Sequence, residues 1–240
     1  MAPKGIFCLE GLWDNDLKRK SSVQPMLNML EVNSGVPYIH QDVATVEELE
    51  FYLSRWKQAR YRNFPILYLA FHGENEALLI GKYEYTLDRL SNFLNESCKN
   101  SIVMLASCST LKTDIRNIKR FLKKTNALAI CGYKSKVNWM QAAAFELLVL
   151  SSFQDTDFSG RGVRTIERQA KLYGTQFSDL NFTIVTKPSI YQRTSLLTYK
   201  NSHNNFTEFH IHSKLELPVR NFREKKRPVS KKASLKRIKK

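Results

Sequence analysis

Long apolar runs, metal-binding cysteine pairs and glycine-rich phosphate loops are all missing from this sequence. No apolar stretch approaches the ~20 residues that a membrane-spanning helix needs, so we expect no membrane contact. The four cysteines show no C-x-x-C spacing, which argues against a zinc or redox motif. Neither G-x-G-x-x-G nor G-x-x-x-x-G-K-[ST] occurs, so the common nucleotide-binding motifs are excluded. The sequence therefore predicts neither a metal nor a cofactor.

The expected compartment follows from the same absences. Residues 1–4 lead directly into a strand-like run, with no secretory pattern and no cleavage signal. Cysteines without metal-type spacing are most simply free thiols, which suit a reducing compartment. We therefore expect a cytoplasmic protein. Its 240 residues, 42% of them hydrophobic, are enough for one well-buried domain with an appendage.

Positive charge is concentrated at the end of the chain. Of the 38 lysines and arginines, 11 lie in 219–240, where Glu224 is the single acid. The preceding residues hold 27 basic and 21 acidic residues, so the globular part is only mildly basic. Residues 219–240 carry no buriable pattern and predict a disordered, flexible tail. Its clustered cations suit non-specific contact with nucleic acid or an acidic protein, and a solubilising end is the alternative.

Strand-like and helix-like segments alternate along the first 186 residues. Six apolar segments are predicted as strands of one sheet: 5–12, 37–43, 64–71, 101–107, 127–132 and 182–186. Segments with helical spacing separate them, and Thr45 begins a capping box with Glu48. A strand, turn and strand are predicted over 77–85.

This alternation indicates βαβ units and a parallel sheet covered by helices on both faces. The predicted fold class is a three-layer α/β/α sandwich. It has a mostly parallel, roughly six-stranded sheet and a small β-hairpin insertion. We predict a domain over 1–186, an extension packing on it over 187–218, and the tail over 219–240. Within the extension, 206–212 is a candidate edge strand.

Two of the predicted strands stop on residues with useful chemistry. One run ends at His72 and Gly73, and the other ends at Cys108. If the two strands are parallel neighbours, both residues emerge at one sheet edge, where active sites of such folds lie. A free cysteine titrates near ~8.5, so a nucleophilic Cys108 needs a base such as His72. Gly73 leaves room for a peptide, and the N–H groups of Gly73 and Cys108 could face an oxyanion.

The order of strand, His-Gly, hairpin, helix, strand and Cys resembles the caspase-like cysteine peptidases. Within that group it is most similar to the bacterial CHAT-type branch. The strand at 127–133 and the alanine-rich segment after it add to the resemblance, which covers about 5–186. The resemblance implies a general base and acid at His72, a nucleophile at Cys108, and oxyanion N–H groups from Gly73 and Cys108.

The same resemblance implies an activity and its partners. The expected function is cysteine endopeptidase (hydrolase) activity on a protein or peptide substrate. CHAT-like peptidases commonly act in bacterial defence or regulated proteolysis, and they are activated by a partner. Because no sensor domain is visible, a separate activating or sensor protein is implied.

The string around the cysteine departs from the caspase pattern. Gln-Ala-Cys-x-Gly is replaced by Ala106-Ser107-Cys108-Ser109-Thr110, so the glycine is absent. Several relatives carry an acid two residues before the cysteine, where it helps to bind a basic side chain. Here Ala106 stands at that position. The departures concern substrate preference more than the Cys–His dyad.

Four further residues are candidates for substrate contact. Glu10 follows the first predicted strand and Glu74 follows the His-Gly pair. Either acid would favour a lysine or arginine side chain, and a solvated loop acid is the simpler alternative. Tyr133 and Trp139 follow the fifth strand, where relatives build the walls of the substrate pocket, and packing is the alternative for both.

Two other functional classes are alternatives to a peptidase. One is a non-catalytic caspase-like module that binds nucleic acid or an acidic protein through 219–240. The other is a flavodoxin-like or receiver-like domain. Receivers need clustered acids at the strand ends, whereas the strand ends here carry Glu10, His72 and Cys108, which argues against that class.

Overall fold

The computed structural model describes residues 2–19 and 21–187 of the chain. The strands are β1 Ile6–Gly11, β2 Tyr38–Val43, β3 Ile66–Ala70, β4 His72–Glu74, β5 Ala77–Ile80, β6 Tyr83–Thr86, β7 Ile102–Ala106, β8 Ala129–Tyr133 and β9 Phe182–Thr186. The helices are α1 Gln24–Ser34, α2 Val46–Trp56, α3 Leu87–Phe93, α4 Ile115–Thr125, α5 Trp139–Ser152 and α6 Gly160–Gln176.

Six of these strands form the central sheet, in the order β2-β1-β3-β7-β8-β9. Every neighbouring pair is parallel except β8 and β9, which are antiparallel. The direction of strand succession reverses between β1 and β3, and such a switch point opens a crevice at the carboxyl ends of the strands. The predicted mostly parallel, six-stranded sheet is confirmed.

Helices cover both faces of this sheet, because alternate side chains of each strand point to opposite sides. One apolar cluster joins α1, α5 and α6 to side chains that include Cys8, Tyr68 and Met104. A second cluster joins α2, α3 and α4 to Leu9, Leu67 and other side chains of the opposite face. Covering both faces explains why the strands are almost continuously apolar. The three-layer α/β/α sandwich is confirmed.

Local sequence signals start two of the helices as predicted. The Thr45 hydroxyl accepts a hydrogen bond from the Glu48 N–H at 3.2 Å, and the Glu48 carboxylate accepts one from the Thr45 N–H at 3.1 Å. This reciprocal capping box begins α2. The Thr86 hydroxyl caps α3 by accepting a hydrogen bond from the Arg89 N–H.

The predicted hairpin is larger than its sequence suggested. β4, β5 and β6 form a three-stranded antiparallel sheet, because the short segment His72–Glu74 pairs with β5. Three polar or glycine residues give too little alternation to predict a strand. The pairing matters for the site, since it makes His72 the first residue of a strand rather than part of a free loop.

Several predictions concern residues outside the described part of the chain. They are the extension over 187–218 apart from Lys187, the edge strand over 206–212 and the tail over 219–240. Among the described residues, no helix combines the length and the apolar character needed to cross a membrane.

Candidate active site

The register between β3 and β7 sets the positions of His72 and Cys108. Ala70 pairs with Ala106 at the ends of these parallel neighbours. His72 and Cys108 each lie two residues further along the chain, just beyond the ends of β3 and β7. Both line one cavity of about 170 Å³ at this edge of the sheet. The sequence thus correctly predicted that the two strands are neighbours.

A backbone carbonyl orients the imidazole of His72. The Nε2 atom lies 2.9 Å from the Trp13 carbonyl oxygen. A carbonyl can only accept, so Nε2 carries a hydrogen and donates it, which leaves Nδ1 as the basic nitrogen of the neutral ring. The indole of Trp13 also meets the imidazole edge-on, with ring centroids 5.2 Å apart. Trp13 therefore fixes both the tautomer and the plane of the ring.

Glu10 holds the indole of Trp13 in place through a hydrogen bond. It lies inside β1 rather than after it, and it is buried. Its carboxylate accepts hydrogen bonds from the Trp13 indole N–H, the Ser22 hydroxyl at 2.7 Å and the Val23 N–H at 2.7 Å. His40 Nε2 lies 2.6 Å from the same group. Burial opposes ionisation, but these four hydrogen bonds outweigh it and lower the pKa of Glu10.

This placement changes the role expected for Glu10. The residue does not line the cavity, and its oxygens are engaged by neighbouring donors. Glu10 therefore contacts Trp13 and does not face the cavity. Glu74 closes β4 with its side chain exposed, and it is also absent from the cavity wall.

The turn that carries Cys108 is tied to the end of β8. Ser109 adopts a left-handed conformation with φ 56°, and its N–H donates to the Ser135 carbonyl at 3.0 Å. The Leu111 N–H donates to the Tyr133 carbonyl at 3.0 Å. Within residues 2–19 and 21–187, no acceptor takes the Cys108 N–H. That N–H is therefore available to stabilise an oxyanion.

Helix α4 does not give the thiol direct support. Residues 109–114 separate Cys108 from the start of the helix. The Asp114 side chain already caps its first turn, accepting from the Arg116 N–H at 2.7 Å. Any help that a thiolate receives must therefore come from His72 and the adjacent N–H groups.

Gly73 allows β4 to lie directly against the turn that carries Cys108. A Cβ atom on Gly73 would lie 2.3 Å from the Thr110 hydroxyl oxygen and 2.6 Å from the Cys108 carbonyl oxygen. Thr110, which stands where the caspase string has glycine, bonds to the Ser107 hydroxyl at 2.7 Å and to the Ala77 carbonyl at 3.2 Å. The space beside Gly73 is therefore taken by the protein's own turn and not left open for a peptide.

Two aromatic candidates from the sequence reach the cavity. Tyr133 and Trp139 line it together with His72 and Cys108. The indoles of Trp13 and Trp139 meet edge-on with ring centroids 4.5 Å apart, which builds an aromatic wall. Most of the remaining wall is apolar or small: Val23, Phe71, Ala106, Val137, Ala142 and Ala143.

Glu146 is a site residue that sequence reasoning missed. It projects from α5, is only 3% exposed and lines the cavity. The Tyr133 hydroxyl donates to its carboxylate at 2.7 Å, and the Tyr68 hydroxyl donates to the other oxygen. Burial raises the pKa of Glu146 to about 7, although both hydrogen bonds act to lower it. A single acid in an otherwise apolar helix was the signal that could have revealed it.

The four cysteines, all within the described residues, differ in accessibility. Cys8, Cys98 and Cys131 are buried, whereas Cys108 is partly exposed, and all four are free. Burial raises the pKa of the Cys98 thiol to about 12 and also raises the pKa of the other two buried thiols. Cys108 is therefore the thiol that reagents and substrates can reach.

One group of side chains in the described residues has the spacing of metal ligands. Glu10, His40 and Asp42 place one ligand atom each within 4.8 Å of one another. The hydrogen bonds from Trp13 and Ser22 already occupy Glu10. A cation would have to displace these donors, so Glu10 and His40 are better described as a hydrogen-bonded pair beside Trp13.

Comparison with known proteins assigns the chain to a family whose function is not known. Residues 3–176 match the model described as "Family of unknown function (DUF6642)", so the chain belongs to this family. No curated protein matches the chain. Among solved structures it is similar to the crystal structure of caspase-1 from Spodoptera frugiperda. The identity is 11%, the match covers 77% of this chain and 86% of that one, and the TM-score is 0.49.

Proposed function

We propose that this protein is a cysteine endopeptidase in which Cys108 is the nucleophile and His72 is the general base and acid. The observation that carries the proposal is the convergence of both side chains on one cavity, from positions two residues beyond the paired ends of β3 and β7. The orientation of His72 supports it, because the Trp13 carbonyl occupies Nε2 and leaves Nδ1 free to accept a proton.

The reaction follows from these atoms. Nδ1 of His72 takes the thiol proton while Sγ of Cys108 attacks the substrate carbonyl carbon. The oxyanion faces the N–H groups of Cys108 and Gly73. The carbon–nitrogen bond then breaks, and the imidazolium returns its proton to the leaving amine. Water, deprotonated by His72, hydrolyses the thioester and restores the free thiol.

Glu10 acts in this scheme as a positioning residue. It anchors the Trp13 indole, and Trp13 in turn holds the imidazole through its carbonyl and its ring. An ionised Glu10 is the stronger acceptor for these donors. The carbonyl also stabilises the imidazolium that forms when His72 takes the thiol proton.

The sequence resemblance to caspase-like peptidases extends the proposal. The order of His72-Gly73, hairpin and Cys108 supports a caspase-like enzyme. Membership of the CHAT-type branch, activation by a partner and a role in bacterial defence or regulated proteolysis rest on the sequence motifs alone. We propose these three points on the basis of those motifs.

Cleavage of a peptide library tests the proposal. The full chain, with the proteins that co-purify from its host, is incubated with the library, and new peptide termini are identified by mass spectrometry. We expect cleavage by the wild type and a loss of at least about a hundredfold in Cys108→Ala and His72→Ala. Cys131→Ala, which removes a buried thiol, serves as the control. Undiminished cleavage by Cys108→Ala would show the proposal to be wrong.

A further inference from the structure

We propose that the cavity beside Cys108 receives the substrate side chain on the acyl side of the cleaved bond, and that Glu146 makes it selective for lysine or arginine. This inference rests on the proposed peptidase function and adds the class of substrate. The sequence predicted that Glu10 or Glu74 would favour a basic side chain. We assign that preference instead to Glu146, which lines the cavity.

The shape of the cavity suits a long, unbranched side chain. It measures about 170 Å³, and Cys108 and Glu146 both line it. Ala106, the last residue of β7, contributes only a methyl group to the wall. Ala142 and Ala143 do the same from α5. Small residues at these points leave room for a chain of methylene groups.

The charges around the cavity favour a cationic end group. Among the residues that the structure describes, its wall contains Glu146 but no lysine or arginine. A substrate carboxylate would therefore be buried without a cationic partner, whereas an ammonium or guanidinium group would meet a carboxylate. The indoles of Trp13 and Trp139 add aromatic faces on which cationic side chains pack favourably.

Glu146 retains the capacity to bind such a group. A carboxylate offers about four acceptor sites. The hydroxyl groups of Tyr68 and Tyr133 each donate to one of the two oxygens and so occupy two of these sites. Within the described part of the chain, the other titratable groups that interact with it are Cys8 on β1 and Cys131 on β8, and neither is a cation. A bound cation would offset the cost of burying this charge.

Three matched thiol-reactive probes test the selectivity. They are peptidyl acyloxymethyl ketones that differ only in the acyl-side residue, which is lysine, norleucine or aspartate. Norleucine keeps most of the methylene chain of lysine without its charge. We expect the lysine probe to modify wild-type Cys108 at least about tenfold faster than the norleucine probe, with aspartate slowest. Intact-mass spectrometry follows the reaction. Equal or faster modification by norleucine would overturn the inference.

The Glu146→Gln variant locates the selectivity in one side chain. It keeps the shape of the residue and removes its charge, so the lysine preference should fall to within about twofold of norleucine. Glu74→Gln, which removes an exposed acid next to the His-Gly pair, should keep the full preference. A full preference in Glu146→Gln would also overturn the inference. If this variant does not fold, the wild-type comparison of lysine with norleucine still decides.

The outcomes separate this inference from the proposed function. The labelling is carried out with the full chain and the proteins that co-purify from its host, so that an activating partner is present. If iodoacetamide modifies Cys108 but none of the peptidyl probes does, the peptidase proposal fails, and the selectivity fails with it. If all three probes react at similar rates, the peptidase proposal stands and only the role of Glu146 is wrong.

Discussion

In the proposed mechanism His72 reacts, and the residues around it keep its ring in place. Trp13 contacts the imidazole through its backbone carbonyl and its ring, so its side-chain type would carry only part of that role. Glu10 contacts Trp13 in turn, by accepting from the indole N–H. Neither role could be predicted from the sequence, because a hydrogen bond to a carbonyl depends on chain geometry and not on residue type.

Replacing Glu10 with glutamine tests this support. An amide has only one acceptor oxygen for the donors that the carboxylate now receives, so Trp13 and the imidazole should lose their fixed orientation. We expect kcat for peptide cleavage to fall about tenfold or more. The rate of Cys108 modification by iodoacetamide at pH 7 should fall with it.

Asp42→Asn provides the control for this variant, because Asp42 pairs with Glu10 on the neighbouring strand and its side chain is exposed. It should leave both rates within about twofold of the wild type. A Glu10→Gln protein that is folded but has unchanged cleavage and alkylation rates would remove Glu10 from the account.

Gly73→Ala tests the contact between β4 and the turn that carries Cys108. The new Cβ atom would clash with Thr110 and with the Cys108 carbonyl, so one of the two segments must move. We expect a loss of about 1–3 kcal/mol in the free energy of unfolding and slower alkylation of Cys108. Gly174→Ala is the matched control, because nothing lies within 4 Å of its added Cβ. It should be neutral or stabilising.

At the scale of elements, the strands β3 and β7 could be predicted from the sequence more reliably than β4, the short strand that follows β3. Continuous apolar runs identified both as buried parallel strands, and their shared edge placed His72 beside Cys108. β4 could not be predicted, because three residues form a strand here only through pairing with β5. The sequence also predicted α5 as a buried helix, but not that its Glu146 lies in the cavity wall.

The burial of α5 against the sheet predicts a dependence of stability on pH. The pKa of Glu146 is about 7 in the folded protein and near 4.5 when exposed, so between these values the folded state binds the extra proton. Stability must therefore fall as pH rises through this range and level off above it. We expect the wild type to lose up to about 3 kcal/mol relative to Glu146→Gln between pH 5 and 8.

Urea unfolding of both proteins at several pH values measures this difference. Glu10 does not disturb the comparison, because its lowered pKa affects stability only at more acidic pH and is common to both proteins. Parallel pH profiles for the two proteins would contradict the assignment of this charge to Glu146.

At the scale of the whole molecule, the described residues of the site and the basic residues of 219–240 belong to different parts of the sequence. The residues that carry the site all lie within 2–187, whereas 11 of the 38 lysines and arginines lie in 219–240. The sequence assigned the tail a contact with nucleic acid or an acidic protein, and this stays a prediction. The fold class followed from the order of the strands, but the walls of the cavity required the structure.

Deleting 219–240 tests this separation. Cys108 should react with iodoacetamide at the wild-type rate, within about twofold, because every lining residue of the cavity that the structure describes is retained. Binding to a nucleic-acid duplex should weaken, and the salt dependence of binding should become shallower as phosphate contacts are lost. Binding measured by fluorescence at two salt concentrations checks this. Loss of nucleic-acid binding in a protein whose Cys108 is unreactive would favour the non-catalytic module.

The central claim is that His72 activates Cys108, and alkylation of the native protein tests it most directly. Because the other three thiols are buried, iodoacetamide under native conditions reports on Cys108. Intact-mass spectrometry can follow its modification near pH 6.5 in the wild type and in His72→Ala. The account predicts that the wild-type thiol reacts at least about tenfold faster. Equal rates in two folded proteins would contradict it.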